Sequence, residues 1–240
     1  MRVLMLTWEF PPRSVGGVAA HVDGLSQALA QAGHEVVLLT LSHPGAPADS
    51  RVGAVRVLRA RADLPWLPDD ELVARVASAN HHLVQLALRL GDWIPHIVHA
   101  HDWQVSWAAD SLSALYGAKL IATFHSTERG QHGGRVPPGQ PSTIHAIESW
   151  LAHDATEVVT NSKFMVREVI GGFELPAERT HLIPNGIDPT WWSKGSYREG
   201  MATQPARCTV SRRLSSERKP ERWTRSLTPS RSICDCSSGR

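Results

Sequence analysis

The chain has 240 residues, is 42% apolar and carries a formal net charge of +2. That length suits one large α/β domain or two small ones, with apolar material enough for a sizeable core. No apolar run approaches the length of a membrane span, so no transmembrane segment is expected. The net charge hides an asymmetry. Residues 201–240 hold eight Arg and one Lys against Glu217, Glu221 and Asp235, which leaves the first 200 residues net negative. Basicity confined to the end of the chain gives no reason to expect nucleic acid as a partner. All three cysteines, Cys208, Cys234 and Cys236, also lie there, so the first 200 residues have neither a disulfide framework nor thiolate chemistry. Residues 1–6 resemble the start of a signal peptide, but Glu9 and Pro11-Pro12 cut the apolar stretch short. They read instead as the buried first strand of a cytoplasmic protein.

Val3-Leu4-Met5-Leu6 is that strand. Gly16-Gly17 then opens a helix with Val18, Val22, Leu25, Leu29 and Ala32 on its apolar face, and Gly33 is its natural C′ residue. A strand feeding a glycine pair that opens a helix is a device for holding a phosphate. Glycine lets the backbone approach an anion, and the helix start offers unpaired N–H groups and partial positive charge. Residues 35–41 and 54–58 read as the second and third strands. Asp69-Asp70-Glu71 puts acids in the first turn of a helix whose face, Leu72, Val76, Leu83, Leu86 and Leu90, runs to Gly91. Residues 96–100 form a short buried strand, 105–116 a helix, 119–124 a strand and 127–141 a polar loop. A helix over 142–153, a strand over 157–160, a helix over 162–170 and a last strand over 180–183 follow, ending in Pro184-Asn185-Gly186. This alternation predicts an α/β fold, a Rossmann-like parallel sheet with helices on both faces. Ligands of such folds bind at the carboxyl ends of the strands.

His99-Ala100-His101-Asp102-Trp103 falls at one such end, and Thr123-Phe124-His125-Ser126-Thr127-Glu128 at the next. Two histidines ending successive parallel strands converge on one edge of the sheet. His-x-His beside an aspartate can ligate zinc. A binuclear hydrolase needs further ligands, and His125, His132, His145 and His153 form no second tight cluster in the sequence. There is also no Asp-x-Asp to hold a metal-bound nucleotide diphosphate, so no divalent ion is expected. His99 reads either as a histidine satisfied by backbone or as a polar strand-end residue facing a ligand. The chain has no Gly-x-Ser-x-Gly elbow and no Gly-x-Gly-x-x-Gly, which argues against an α/β-hydrolase and a dinucleotide oxidoreductase. Of the nine tryptophans, Trp8, Trp103 and Trp150 fall at or near element ends, where a flat face suits a sugar ring. Trp150, on an apolar helix face, reads first as core.

Taken together, these residues resemble the N-terminal domain of retaining GT-B glycosyltransferases, the broad glycosyltransferase family 4 with the neighbouring glycogen synthases. The resemblance covers about residues 1–192 and rests on an ordered set of motifs. These are Trp8-Glu9-x-Pro-Pro with Gly16-Gly17, Gly33-His34-Glu35-Val36-Val37, Val98-His99-Ala100-His101-Asp102-Trp103, Thr123 to Glu128, Ile147-Glu148, Thr160-Asn161-Ser162 and Ile183-Pro184-Asn185-Gly186-Ile187-Asp188. The loop after Thr123 and the helix with Ile144-His145-Ala146-Ile147-Glu148 look most like glycogen-synthase-like α-glucosyltransferases.

The resemblance implies that Gly16 and Gly17 line the donor diphosphate and that His101, as the catalytic histidine, sits beside the donor sugar. It implies that Glu9, Asp102, His125, Glu128 and Asn161 line the sugar or acceptor cleft, and that Asn185-Gly186 marks the crossing to a second domain. The donor would be a nucleotide diphosphate sugar, the acceptor a glucan, the chemistry hexosyl transfer with retention, and no cofactor or metal would be needed. Two departures stand out. Ser14 takes the place where glycogen synthases often carry Lys, with Arg13 as the neighbouring cation. Nothing after Asp188 resembles the Arg/Lys pair and Glu-containing motif of the family's nucleotide-binding domain. Residues 193–240 form a basic, Ser- and Arg-rich tail without apolar period, expected to be disordered, and a reading-frame change fits its abrupt onset. The chain thus reads as a truncated glycosyltransferase, inactive alone. The alternatives are a non-catalytic glucan- or partner-binding module, or a metal-dependent hydrolase using His99, His101 and Asp102.

Overall fold

The computed structural model describes residues 1–186 apart from Val15, Asp63 and Asp69. All fall in the first of two compact units, Met1–Trp191. The expectations for residues 193–240, and for Ile187-Asp188, lie outside the described residues.

The order of elements is β1 (Arg2–Thr7), α1 (Gly17–Gln31), β2 (Glu35–Leu41), β3 (Asp49–Val52), β4 (Val55–Ala60), α2 (Leu72–Leu88) and β5 (Ile97–His101). There follow α3 (Ser106–Tyr116), β6 (Lys119–Phe124), α4 (Glu128–Gln131), α5 (Gln140–Asp154), β7 (Glu157–Thr160), α6 (Lys163–Phe173) and β8 (Thr180–Leu182). The strands make one eight-stranded sheet in the order β3-β4-β2-β1-β5-β6-β7-β8. Seven are parallel, as the alternation predicts, and β3 is antiparallel to β4 at the edge. β3 was not expected, because Asp49-Ser50-Arg51-Val52 carries no apolar alternation; its pairing to β4 needs only backbone.

The apolar run of β1 is buried on both faces, and its period of two divides it. Val3 and Met5 join Val36, Leu38, Val55 and Val57 beneath Val22 of α1. Leu4 and Leu6 join Val37 and Leu39 on the side of Leu83 of α2 and Leu112 of α3. Burial of this kind contributes about 1.5–3 kcal/mol per large aliphatic side chain. α1 ends as expected, with Ala32 as C-cap and Gly33 at φ +85°.

Four expectations need correction. The helix expected to begin with Asp69-Asp70-Glu71 starts at Leu72, with no acid in its first turn. The polar loop 127–141 contains the single turn α4, capped by the Thr127 side chain accepting from Gly130 N–H. Trp150 is 38% exposed rather than core. The buried positions of α5 are Ile144, Ile147, Glu148, Leu151 and Ala152, which turns Trp150 to the flank, beside Trp107. Trp103 is buried against Val76, Ile144 and Ile147, so its face is not open to a sugar.

The chain winds outward from β1 through β2 and β4, then returns to lay β5 on the other side of β1. That reversal places a topological switch point between the carboxyl ends of β1 and β5, the usual ligand crevice of an open α/β sheet.

Candidate active site

Thr7, the last residue of β1, pairs in register with His101 of β5, which pairs with Thr123 of β6. The register alone brings Trp8-Glu9, His101-Asp102 and His125 to one edge. The glycine pair follows β1 on the same edge. Gly16 is the N-cap of the 15-residue α1, and no side chain caps it. The start of this helix therefore keeps free N–H groups and its share of the helix dipole. Gly16 N–H itself donates to Glu9 Oε2 at 3.2 Å, with Glu9 6% exposed. A carboxylate already occupies one donor of the loop, the chemistry the glycine pair was expected to offer a phosphate.

The two strand-end histidines meet as expected. His101 Nδ1 lies 3.2 Å from His125 Nε2, and the rings stack with centroids 5.5 Å apart. His99 packs against His101, with ring centroids 4.3 Å apart, while its Nε2 bonds Thr123 Oγ1 at 2.8 Å, so it is satisfied by a side chain rather than by backbone. The set His99, His101 and Asp102 is thus not assembled as a ligand cluster. A further ring joins from another element: His21 of α1, whose centroid is 4.8 Å from that of His125 and 5.7 Å from that of His101. Sequence reasoning missed His21 because α1 was read only for its apolar face. The signal was its place one turn after Gly17, at the end of α1 that points to the crevice.

Burial, reinforced by the neighbouring imidazoles, holds these rings neutral. His101 is pushed well below the ordinary histidine range, His99 to about 3 and His125 to about 4. His21 is lowered by burial and raised in part by a hydrogen bond to the side chain of Asn185. Asn185, expected at a domain crossing, is therefore also part of this edge.

Asp102 bonds inward. Its Oδ1 accepts from His125 N–H at 2.7 Å, and the carboxylate also accepts from Ser126 N–H. Its backbone sits at φ +61°, ψ 174°, a region L residues rarely occupy and which costs on the order of 1–3 kcal/mol. Asp102 thus ties the end of β5 to the segment carrying His125. Burial raises its carboxyl to about 7, against the lowering effect of the two N–H donors.

His125 also opens onto a second space, a cavity of about 370 Å³ lined by Ser126, Thr127, Gly130, Asn161, Ser162 and Phe164 among others. Asn161 sits at the end of β7, beside Ser162, whose hydroxyl caps α6 by accepting from Met165 N–H. Glu128 does not line this cavity. Its carboxylate lies 3.5 Å from His132 Nδ1, and its N–H donates to the buried carboxylate of Glu148 at 2.9 and 3.1 Å.

Glu148 is 2% exposed, and its carboxyl is pushed to about 8, first by burial, then by Asp102 and Glu128, against the Glu128 N–H bond that lowers it. A carboxyl raised in the fold contributes stability that is complete below its unfolded value of 4.5 and lost as pH climbs through 8. Glu148→Gln keeps an acceptor for Glu128 N–H but cannot ionise. Its stability relative to wild type should therefore rise between pH 5 and 8, by up to about 1.4 kcal/mol per pH unit. Urea melts at several pH values check this, and parallel curves would refute it.

A doubly wound α/β domain with a glycine-opened helix and a histidine edge at its switch point belongs to the class of Rossmann-like GT-B glycosyltransferase domains. The chain is a member of Glycosyltransferase Family 4, whose model matches residues 15–191. It is 34% identical over 233 residues to the glycogen synthase of Mycobacterium tuberculosis, a match spanning 91% of this chain and 55% of that relative. It superposes on sucrose-phosphate synthase from Thermosynechococcus elongatus with a TM-score of 0.64 at 19% identity, over 79% of this chain and 49% of the other. On the catalytic domain of starch synthase IV from Arabidopsis thaliana, bound to ADP and acarbose, the TM-score is 0.57 at 19% identity, over 80% of this chain and 52% of that one. The chain spans about half the length of the relatives it matches. No helix among the described residues is long and apolar enough to cross a membrane.

Proposed function

We propose that this chain supplies the N-terminal, acceptor-side half of a retaining glycosyltransferase of the glycogen synthase type. The reaction moves a hexose, most simply α-glucose, from a nucleotide diphosphate sugar to a glucan. The observation that carries the reading is the uncapped start of α1 at Gly16-Gly17, at the switch point beside the His101 and His125 edge. Breaking the donor's glycosidic bond builds negative charge on the leaving phosphate, and preorganised N–H groups aimed at that charge stabilise it. Gly16 and Gly17 offer such groups. His101 faces the sugar, and His125, with Asn161, borders the space for the acceptor. Asp102 and Glu148 act one step back, by positioning the segment from His125 to Glu128. Glu9 exchanges its bond to Gly16 N–H when phosphate arrives. The cysteine-free first 200 residues support a cytoplasmic setting. The likeness to a glycogen synthase and to a starch synthase bound to ADP and acarbose supports this donor and acceptor pair.

A side chain placed on Gly17 tests the phosphate position. A Cβ added there meets nothing within 4 Å, so the fold has room for it. In Gly17→Leu the new side chain stands where the diphosphate approaches. Calorimetric titration with ADP-glucose and UDP-glucose should show saturable binding to the wild-type chain, weakened at least about tenfold in the variant, about 1.4 kcal/mol. The melting temperature should stay unchanged. Equal donor binding by the two proteins would overturn the assignment.

A further inference from the structure

We propose that the surface between α3 and α5, built from Trp107, Asp110, Trp150 and Asp154, binds an uncharged, curved glucan chain outside the histidine edge. Trp150 is 38% exposed on α5, and its ring centroid lies 6.4 Å from that of Trp107 on α3, with the two planes tilted by 38°. Trp107 is half-buried and anchors the pair, because it packs on the cluster of Val76, Trp103, Ile144 and Ile147. Asp110 follows Trp107 by three residues, and Asp154 follows Trp150 by four. Those spacings put each acid on the same helix face as its tryptophan, about 5–6 Å along it. The two acids meet as the two rings do, through a hydrogen bond between their side chains. One patch across two helices thus carries two aromatic faces and, one turn on, two carboxyl groups. None of the four residues lines the cavity beside His125.

The chemistry of the patch selects its ligand. Each ring has a negative face, to which the C–H bonds of a hexose present positive hydrogens, while the hydroxyls at the sugar's rim stay free to hydrogen-bond. A carboxylate only accepts, and a protonated carboxyl keeps acceptor capacity, so Asp110 and Asp154 suit hydroxyl donors. Burial first, then the bond to Asp154 and its charge, raise the Asp110 carboxyl above the ordinary range. Such a pair repels anions, which disfavours phosphate, nucleotides and nucleic acid as occupants. What remains is an uncharged, hydroxyl-rich chain with apolar faces, which describes a glycan. Planes tilted by 38° follow a chain that curves, as α-linked glucose does, better than the flat ribbon of a β-linked one. The choice of glucose rests on the reading above; the geometry asks only for a curved, neutral hexose chain. A polymer held on this surface keeps its free ends at high local concentration around the domain.

The test is calorimetric titration of maltoheptaose into the full chain with no donor present. Saturable binding to wild type is expected, weakened at least about tenfold in Trp150→Ala and in Asp154→Ala and largely kept in Trp150→Tyr. It should be unchanged in His125→Ala and in a control, Trp66→Ala, which removes a tryptophan 76% exposed elsewhere. Cellohexaose, flat and β-linked, should bind at least about tenfold more weakly. Thermal melts check folding, and Asp154→Ala, on an exposed carboxyl, carries the test if Trp150→Ala loses stability. Absence of saturable binding, or a loss in His125→Ala as large as in Trp150→Ala, overturns the proposal. The second of these results moves the glucan to the crevice and upholds the acceptor reading. Equal binding of cellohexaose overturns the class of chain. Self-association that Trp150→Ala abolishes, with no glucan bound, assigns the patch to a protein partner instead. The transferase reading stands or falls separately, on the donor titration of Gly17→Leu.

Discussion

Given radiolabelled UDP-, ADP- or GDP-glucose and glycogen, the 240-residue chain alone should transfer no measurable sugar. The argument is one of magnitude. The family resemblance assigns the cations on the donor diphosphate, and most nucleotide contacts, to motifs with no counterpart after Asp188 in this sequence. Charge-assisted hydrogen bonds contribute about 1.5–3 kcal/mol each. Two such groups, together with the closure that excludes water, amount to about 5 kcal/mol of transition-state stabilisation, roughly four powers of ten in rate. What the described residues do bring, the start of α1 and the histidine edge, supports binding more than turnover. Robust transfer by the chain alone, abolished by His101→Ala, would show that this half carries the catalytic charge by itself.

Replacing Asp102 should produce the largest loss of stability among the site residues. Its carboxylate receives the N–H groups of His125 and Ser126, and the residue is only 9% exposed. Asp102→Ala leaves the part-buried His125 N–H without its partner, at about 1–3 kcal/mol, while the N–H of exposed Ser126 can turn to water. For a domain of this size that lowers the melting temperature by several degrees. The backbone geometry adds a discriminating series. Alanine keeps the strain at φ +61°, whereas glycine relieves it while losing the same bonds, so Asp102→Gly should lie above Asp102→Ala. Asp102→Asn, which keeps an acceptor oxygen, should lie above both and below wild type. An alanine variant as stable as wild type would remove Asp102 from its positioning role.

The sheet was legible because parallel strands buried on both faces write themselves as apolar runs. Val3 to Leu6 and the segment around Val98 gave strands and, by their order, the edge on which His101 and His125 meet. What lies between strands was less legible. β3 pairs through backbone and left no apolar signature. α4 is one turn long and depends on a single hydroxyl, that of Thr127. Within the site, the residue types were visible but not their directions. His99 and His101, two apart on one strand, share a face; the sequence could not say that Thr123 claims His99 while His125 meets His101. Asp102 and Glu128 looked like cleft carboxylates, but the backbone N–H groups of the strand-end segments engage Asp102 and Glu148 instead. Such contacts are set by loop geometry and leave no period to read. His21 escaped because a helix read for its core face hides what its end presents.

His21, in the second turn of α1, and Asn185, just beyond β8, meet across nearly the whole described chain. A ligand that engaged the His21 ring in place of Asn185 would have to release that side chain, and by reciprocity whatever displaced Asn185 would favour such a ligand by the same factor.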